Sequence, residues 1–389
     1  MSKTRRQTLA QKEYRQKMAL KKRLERNYQE QAKKNGLKSF KRVAEYLPAE
    51  LKGRQIRRGL IVAHLEIEPV IELMAQGKEF TVVSGLNSSS SLHLGHKLMF
   101  DVLLELQRLG GKLFIPVTND EAYIDGKIES LAESKRVADE EIVKSIVAMG
   151  FKPSKTRVFI DTDYPEIYKL AMYLSKFLTV REVETVFGKE ALRNPGQVFY
   201  RSVVQMAQIL LPQLPEFGGP KPTLIPVGID QHAYVLLARD VAKRLKMVPP
   251  SELVFKFQSS LRDPEKKMSG SKPNTAIYLK DDKKEIKRKI KKAYTGSVSI
   301  MEVHQQLGGI PEICSVFSLL NSQSEDDEQV KKIYQDYLKG KLSMDKLKRL
   351  VTKLIVGMAE EHQRKRKQVT EKQMNRFLLK KPLTSFIKY

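Results

Sequence analysis

His93 and His96 stand three residues apart with Leu94 and Gly95 between them, just after a serine-rich turn (Ser88–Ser91) and at the start of a helical pattern. Histidines at i and i+3 share one face of a helix. At a helix N-terminus they meet free backbone N–H groups and the positive end of the dipole, and Gly95 lets a ligand approach the backbone. The chemistry this suits is binding of a triphosphate and stabilisation of the charge that builds as pyrophosphate leaves. A metal pair is the competing use of two histidines. No cysteine or third histidine follows at ligand spacing, so no protein-bound metal is expected. The second feature is Lys267-Met268-Ser269-Gly270-Ser271, in a polar loop after the last strand-like run. A lysine beside small hydroxyl residues on a mobile loop can close over β- and γ-phosphates in a transition state; standing alone, the same residues would describe an ordinary surface loop.

These residues need a scaffold that brings them together across about 170 positions. From Phe80 onward short apolar runs alternate with helical segments, predicting strands at Thr81–Ser84, Lys112–Thr118, Arg157–Ile160, Thr223–Val227 and Leu253–Phe257. Helices are expected over His93–Leu109, Glu133–Met149, Pro165–Leu178, Val198–Leu211 and Gln231–Leu245. Such alternation implies an α/β fold with a parallel sheet. Ligands of such sheets bind at the carboxyl ends of the strands, at a topological switch point. The loops Gly85–Leu92, Asn119–Lys127 and Gly228–Gln231 all follow strands and should converge there. After Asp281 the strand signal stops, and Lys283–Tyr294, Glu312–Leu320, Glu328–Leu338 and Met344–Phe377 read as helices.

The net charge is +26, and residues 1–58 hold 19 lysines and arginines against 5 acids. Further basic zones run over Lys280–Lys292 and His362–Lys381. Clusters of this kind mark a polyanionic partner, through counterion release and steering; a solvated, lysine-rich surface is the plainer alternative. The segment Thr4–Gln31 contains neither glycine nor proline and reads as a polar helix or a disordered arm. Basic segments without aromatic anchors argue against a membrane partner, and no apolar run nears the roughly 20 residues of a membrane span. A single cysteine, Cys314, excludes a disulfide within the chain and suits a reducing compartment.

Taken together, the His93–His96 and Lys267–Ser271 motifs resemble the HIGH and KMSKS signatures of class I aminoacyl-tRNA synthetases. The similarity runs on through Thr118-Asn119-Asp120-Glu121-Ala122-Tyr123, Pro226-Val227-Gly228-Ile229-Asp230-Gln231 and Ala238-Arg239-Asp240-Val241-Ala242. Lys292-Ala293-Tyr294-Thr295-Gly296 and Glu360–Arg366 resemble the C-terminal domain of tryptophanyl-tRNA synthetases of the archaeal and eukaryotic type. The resemblance covers roughly Gln55 to Leu379.

That resemblance implies a basic N-terminal extension (1–54), a Rossmann-like catalytic domain (55–281) with a connective helical insertion at about 165–220, and a helical anticodon-binding domain (282–389). It implies a tryptophan–tRNA ligase of the cytoplasm that uses ATP with Mg2+, has tRNA as partner and acts as a homodimer through helices between Leu170 and Leu211. His93, His96 and Lys267 would be catalytic. ATP would be held by His93, Gly95, His96, Gly228, Asp230, Lys267, Met268, Ser269 and Ser271. The amino acid would be held by Glu121 at its ammonium, by Gln205 and Gln231 at its backbone groups, and by Gln208.

The sequence also departs from the family pattern. The second KMSKS lysine is Gly270, leaving Lys267 and the nearby Lys272, and the proline of the turn before HIGH is Ser88. Val83 and Pro116 stand where a tyrosine and a glutamine read the indole N–H. Gln208 stands where tyrosine enzymes carry an aspartate that reads the phenol. The missing aspartate argues against tyrosine, and the Gln208 amide oxygen is the expected acceptor of the indole N–H. The plain alternative for Gln208 is a helix-surface residue. Three other readings compete: a tyrosyl-tRNA synthetase-like enzyme, a synthetase-derived tRNA-binding protein without catalysis, and a nucleotidyltransferase making small-molecule adenylates.

Overall fold

A computed structural model describes residues 3–189, 194–298 and 300–385. The outer ends of the expected extension and helical domain, residues 190–193 of the expected insertion and Ser299 lie outside the described residues. The N-terminal arm is a helix, α1 (Lys3–Lys34), with twelve lysines and arginines and three glutamates. Strands β1 (Lys38–Ser39) and β2 (Ile61–Leu65) follow, then β3 (Phe80–Val83), the short β4 (Leu86–Asn87) and helix α2 (Leu94–Arg108). The sheet continues with β5 (Gly111–Thr118), β6 (Thr156–Ile160) and β7 (Thr223–Val227), then helix α3 (His232–Arg244) and β8 (Ser251–Phe255).

Five strands run parallel in the spatial order β8-β7-β3-β5-β6. From β3 the chain moves outward through β5 to β6, then returns to lay β7 on the other side of β3. The direction of winding therefore reverses between β3 and β7, and this switch point opens a crevice at their carboxyl ends. Successive residues of each strand face opposite layers. Val82 and Ile115 pack with Phe100 and Leu103 of α2, in a core continuous with Ile286, Leu320 and Ile355 of the helical region. Val83 and Phe114 point the other way, among Leu170, Leu210 and Val241.

The five expected strands are all present. They form the expected parallel sheet, which the antiparallel pairs of β1 with β2 and β2 with β8 extend. β1 is two exposed residues and carries no pattern, and β2 holds the buried His64 in an otherwise apolar run. The helix expected at Val198–Leu211 starts at Pro195 and is interrupted by a π turn over Phe199–Val204 just before Gln205. The helix expected to run unbroken over Met344–Phe377 is two. α4 (Met344–Lys367) ends, and Thr370 caps Glu371–Asn375 with a reciprocal side-chain box to Gln373. The expected Glu312–Leu320 helix is shifted to Ser315–Gln323, because Pro311–Ile313 makes a 3-10 turn and the Cys314 sulfur accepts from the Phe317 N–H. Past α4 the chain returns to the sheet. The Val158 N–H donates to the Phe377 carbonyl at 2.8 Å and the Leu379 N–H to the Val158 carbonyl at 2.8 Å, covering the β6 edge.

Candidate active site

A cavity of about 760 Å³ opens at the switch point, large enough for a nucleotide and a small substrate together. All thirteen residues singled out from the sequence line it, from His93 on α2 to Ser271 on the loop beyond β8. The three segments expected to converge do so, the one expected as a loop over Asn119–Lys127 forming a short helix over Asn119–Ile124.

His93 caps α2 from outside. Its Nδ1 accepts the Gly95 N–H at 3.1 Å, and its own N–H donates to His96 Nδ1 at 3.3 Å. The rings stack with centroids 3.8 Å apart, 16° from parallel. A Cβ at Gly95 would fall 2.9 Å from the His93 ring, so glycine there makes room for the stack itself. Burial, then the neighbouring His96 and Lys267, push His93 down to about 2; burial and Lys267 push His96 down to about 4. Both rings are therefore neutral at physiological pH. With each Nδ1 occupied as an acceptor, the ring hydrogen sits on Nε2. Two uncharged N–H donors at a helix N-terminus suit the oxygens of an anion.

The depressed imidazoles also carry a stability prediction. His362 of α4 is buried against Ser145 and is likewise pushed down to about 4, by burial and then by Arg366 and Lys97. All three histidines have folded values below the ordinary 6.5, so the unfolded chain takes up protons first. Their contribution to stability is complete above about pH 6.5 and falls as the pH drops from there toward 4. The urea midpoint should decline between pH 6.5 and 5, and less steeply in His362→Gln. An equal decline in that variant would contradict the assignment for His362.

Lys267 bonds Asp230 Oδ2 at 2.6 Å and lies 5.2 Å above the Phe257 ring. Met268 is buried and its N–H donates to the Gln258 carbonyl at 2.8 Å, so the loop is anchored one residue from the lysine. A Cβ at Gly270 would fall 2.2 Å from Ser90 Oγ and 3.0 Å from its Cβ. The Tyr278 hydroxyl holds the Gly270 carbonyl at 2.8 Å. The loop thus packs on the serine-rich turn, and a lysine at 270 would have to displace it.

At the apolar end of the cavity, Val83, Pro116 and Ile225 form walls. Glu121 accepts from Thr118 Oγ1 at 3.1 Å and from Gln205 Nε2 at 3.0 Å, and burial pushes its carboxyl up. Gln208 is buried rather than on the helix surface. Its Nε2 donates to Asp161 Oδ2 at 2.6 Å. Asp161 is wholly buried, and burial together with the neighbouring Asp120 pushes its carboxyl well up. Asp120 in turn accepts from the Tyr168 hydroxyl. This chain fixes the Gln208 amide with its nitrogen toward Asp161, leaving the oxygen as the group it offers the cavity.

Asp161, Asp120 and Phe257 were not singled out from the sequence as site residues. The signal for Asp161 was present, since it directly follows β6 and polar residues at strand carboxyl ends border the crevice of such sheets. Beneath the Asp230–Gln231 turn, His232 Nδ1 and Glu252 Oε2 form a buried pair at 2.6 Å.

Among known proteins, the family model of class I tRNA synthetases (W and Y) matches residues 75–359. A tryptophan–tRNA ligase of Methanocaldococcus jannaschii is 37% identical over 321 residues, which are 81% of this chain and 86% of that one. The ligase of Pyrobaculum calidifontis is 35% identical over 82% of this chain and 84% of its own. In structure, the tryptophanyl-tRNA synthetase of Aeropyrum pernix K1 superposes with a TM-score of 0.82 at 29% identity, covering 91% of this chain and 96% of that one.

Proposed function

The chain belongs to the class I tRNA synthetases for tryptophan and tyrosine, and from that membership we propose that it is a tryptophan–tRNA ligase whose chemistry is carried by the thirteen residues of the switch-point cavity. The observation that carries this reading is the meeting of His93, His96, Asp230 and Lys267 around one cavity, beside an apolar recess with a fixed amide oxygen.

In the first step a carboxylate oxygen of tryptophan bonds to the α-phosphorus of ATP. The bond from that phosphorus to the bridging oxygen breaks, and pyrophosphate leaves with the electron pair. The residues supply alignment and charge stabilisation, and no covalent nucleophile is required. The Nε2–H groups of His93 and His96 hold phosphate oxygens. Asp230 exchanges its bond to Lys267 for the ribose hydroxyls near Gly228, and Lys267 moves to the leaving phosphates, with Ser269 and Ser271 beside it. Imidazole N–H, ammonium and hydroxyl groups suit phosphate oxygens rather than a hard cation. Mg2+ accordingly enters bound to ATP as part of the substrate. Glu121 pairs with the substrate ammonium, Gln205 and Gln231 orient its backbone groups, and Gln208 accepts from the indole N–H. In the second step a hydroxyl of the terminal tRNA ribose attacks the adenylate carbonyl, AMP leaves, and the proton passes to phosphate or water.

The helical region after Asp281 is assigned to the anticodon. A homodimer is proposed through the helices between Leu170 and Leu211. Met172 and Val180 are exposed apolar residues on neighbouring helices there, and a monomeric mass in sedimentation would count against that assembly. No described helix is long and apolar enough to cross a membrane, and the cytoplasm is the proposed compartment. The direct test is transfer of labelled tryptophan to a tRNA transcript bearing the tryptophan anticodon. Charging supports the ligase; binding of the transcript without charging would leave only an RNA-binding protein.

A further inference from the structure

α1 is seated on the molecule by one face. Ala10 and Tyr14 pack with Val298 and Val303, Lys17 Nζ bonds the Ser297 carbonyl at 2.5 Å, and Lys21 reaches Glu312 at 2.7 Å. Further along, Ala32 packs with Leu37, Ala63 and Val254. At 100° per residue these five positions fall within an arc of about 60°. Lys12, Arg15, Lys22, Arg26 and Lys33 are all exposed and fall within about 80° on the opposite side. They span about 31 Å of helix. Arg26 has Glu30 3.5 Å away, with both side chains open to water, an arrangement worth little.

The position of this stripe identifies what it faces. Arg23, at its border, forks onto Glu265 with bonds of 2.8 and 2.6 Å, two residues before Lys267. Tyr28, on the seated face, feels the backbone of Phe257 and the charge of Asp230. The C-terminal half of the helix therefore passes the mouth of the cavity, while its N-terminal half rests on Ser297–Glu312. Resting on the tRNA reading given above, we propose that the exposed face of α1 holds the acceptor stem of tRNA by its backbone phosphates while the 3′ end occupies the cavity. The reacting hydroxyl must enter there, and the duplex behind it is the acceptor stem, whereas the anticodon lies at the far end of the tRNA. Five cations in line can follow successive phosphates without reading sequence.

The test uses the full chain carrying Lys12→Gln, Arg15→Gln, Lys22→Gln, Arg26→Gln and Lys33→Gln together. Tryptophan-dependent pyrophosphate exchange should stay within twofold of the parent, which also reports an intact fold. The KM for tRNA should rise roughly tenfold to a hundredfold, and the slope of its logarithm against the logarithm of salt should fall by about 3 to 4. Hydroxyl-radical footprints should lose protection over the acceptor stem, while Lys12→Arg, Lys22→Arg and Lys33→Arg together keep it. An unchanged KM and salt slope would overturn the proposal, as would protection lost only over the anticodon arm. Loss of binding to anionic phospholipid vesicles with tRNA parameters intact would overturn it in favour of a membrane surface. A parent chain without exchange would overturn the functional reading alone, because the footprint reads the stripe directly.

Discussion

Lys267→Ala is expected to lower the rate of adenylate formation by about a hundredfold to a thousandfold while ATP affinity stays within a few-fold. Lys267 bonds Asp230 in the structure, and both side chains are partly exposed. Exposed pairs of this kind contribute roughly 0–1 kcal/mol, so the bond yields readily to a ligand. Ground-state contacts to ATP are assigned to the imidazole N–H groups and to Asp230 at the ribose, none of which needs the lysine. Its ammonium gains a partner of rising charge only as the bond to pyrophosphate breaks, and such an interaction appears in kcat rather than in binding. Removing it also frees Asp230, which favours ATP binding slightly. Pre-steady-state adenylate formation across ATP concentrations separates the two effects. A rate at saturation equal to the parent, with a KM for ATP raised by a hundredfold, would make Lys267 a ground-state anchor and contradict the loop's assigned role.

The second large effect concerns the amino acid. Gln208→Leu should lower kcat/KM for tryptophan roughly tenfold to a hundredfold, with phenylalanine changing little, so that discrimination between the two collapses. The shape of the side chain is nearly kept, and what is lost is the fixed oxygen at the wall of Val83, Pro116 and Ile225. The substitution also removes the donor to the buried Asp161 Oδ2. Melting temperature should therefore be followed in parallel, and loss of tryptophan preference in a folded variant is the informative result. Asp161→Ala should weaken the same preference less, since it frees the amide to rotate without deleting it. A preference for tryptophan that survives Gln208→Leu would remove Gln208 from the specificity reading.

What could be read from the sequence divides along physical lines. The histidine pair was legible because its geometry depends on local spacing at a helix start, which four residues encode. The parallel strands were legible because strands buried on both faces are continuous apolar runs. The strand Ile61–Leu65 was not, since its pairing is settled by Ser251–Phe255 almost two hundred residues away. Gln208 could be placed on a helix near Gln205, but its environment could not. Asp161 and Asp120 reach it through tertiary packing, and only their joint burial locks the amide. The arm was open between helix and disorder because its seat is small and spread along the chain. Ala10, Tyr14 and Ala32 supply too little apolar surface to be visible as a pattern.

The most direct test of the central claim is amino-acid-dependent exchange of pyrophosphate into ATP, run in parallel with tryptophan, tyrosine and phenylalanine. The account predicts strong exchange with tryptophan and little with the other two. Exchange driven by tyrosine or phenylalanine to the same extent would contradict the specificity assigned to Gln208, and absence of exchange with all three, with and without tRNA, would contradict the ligase itself.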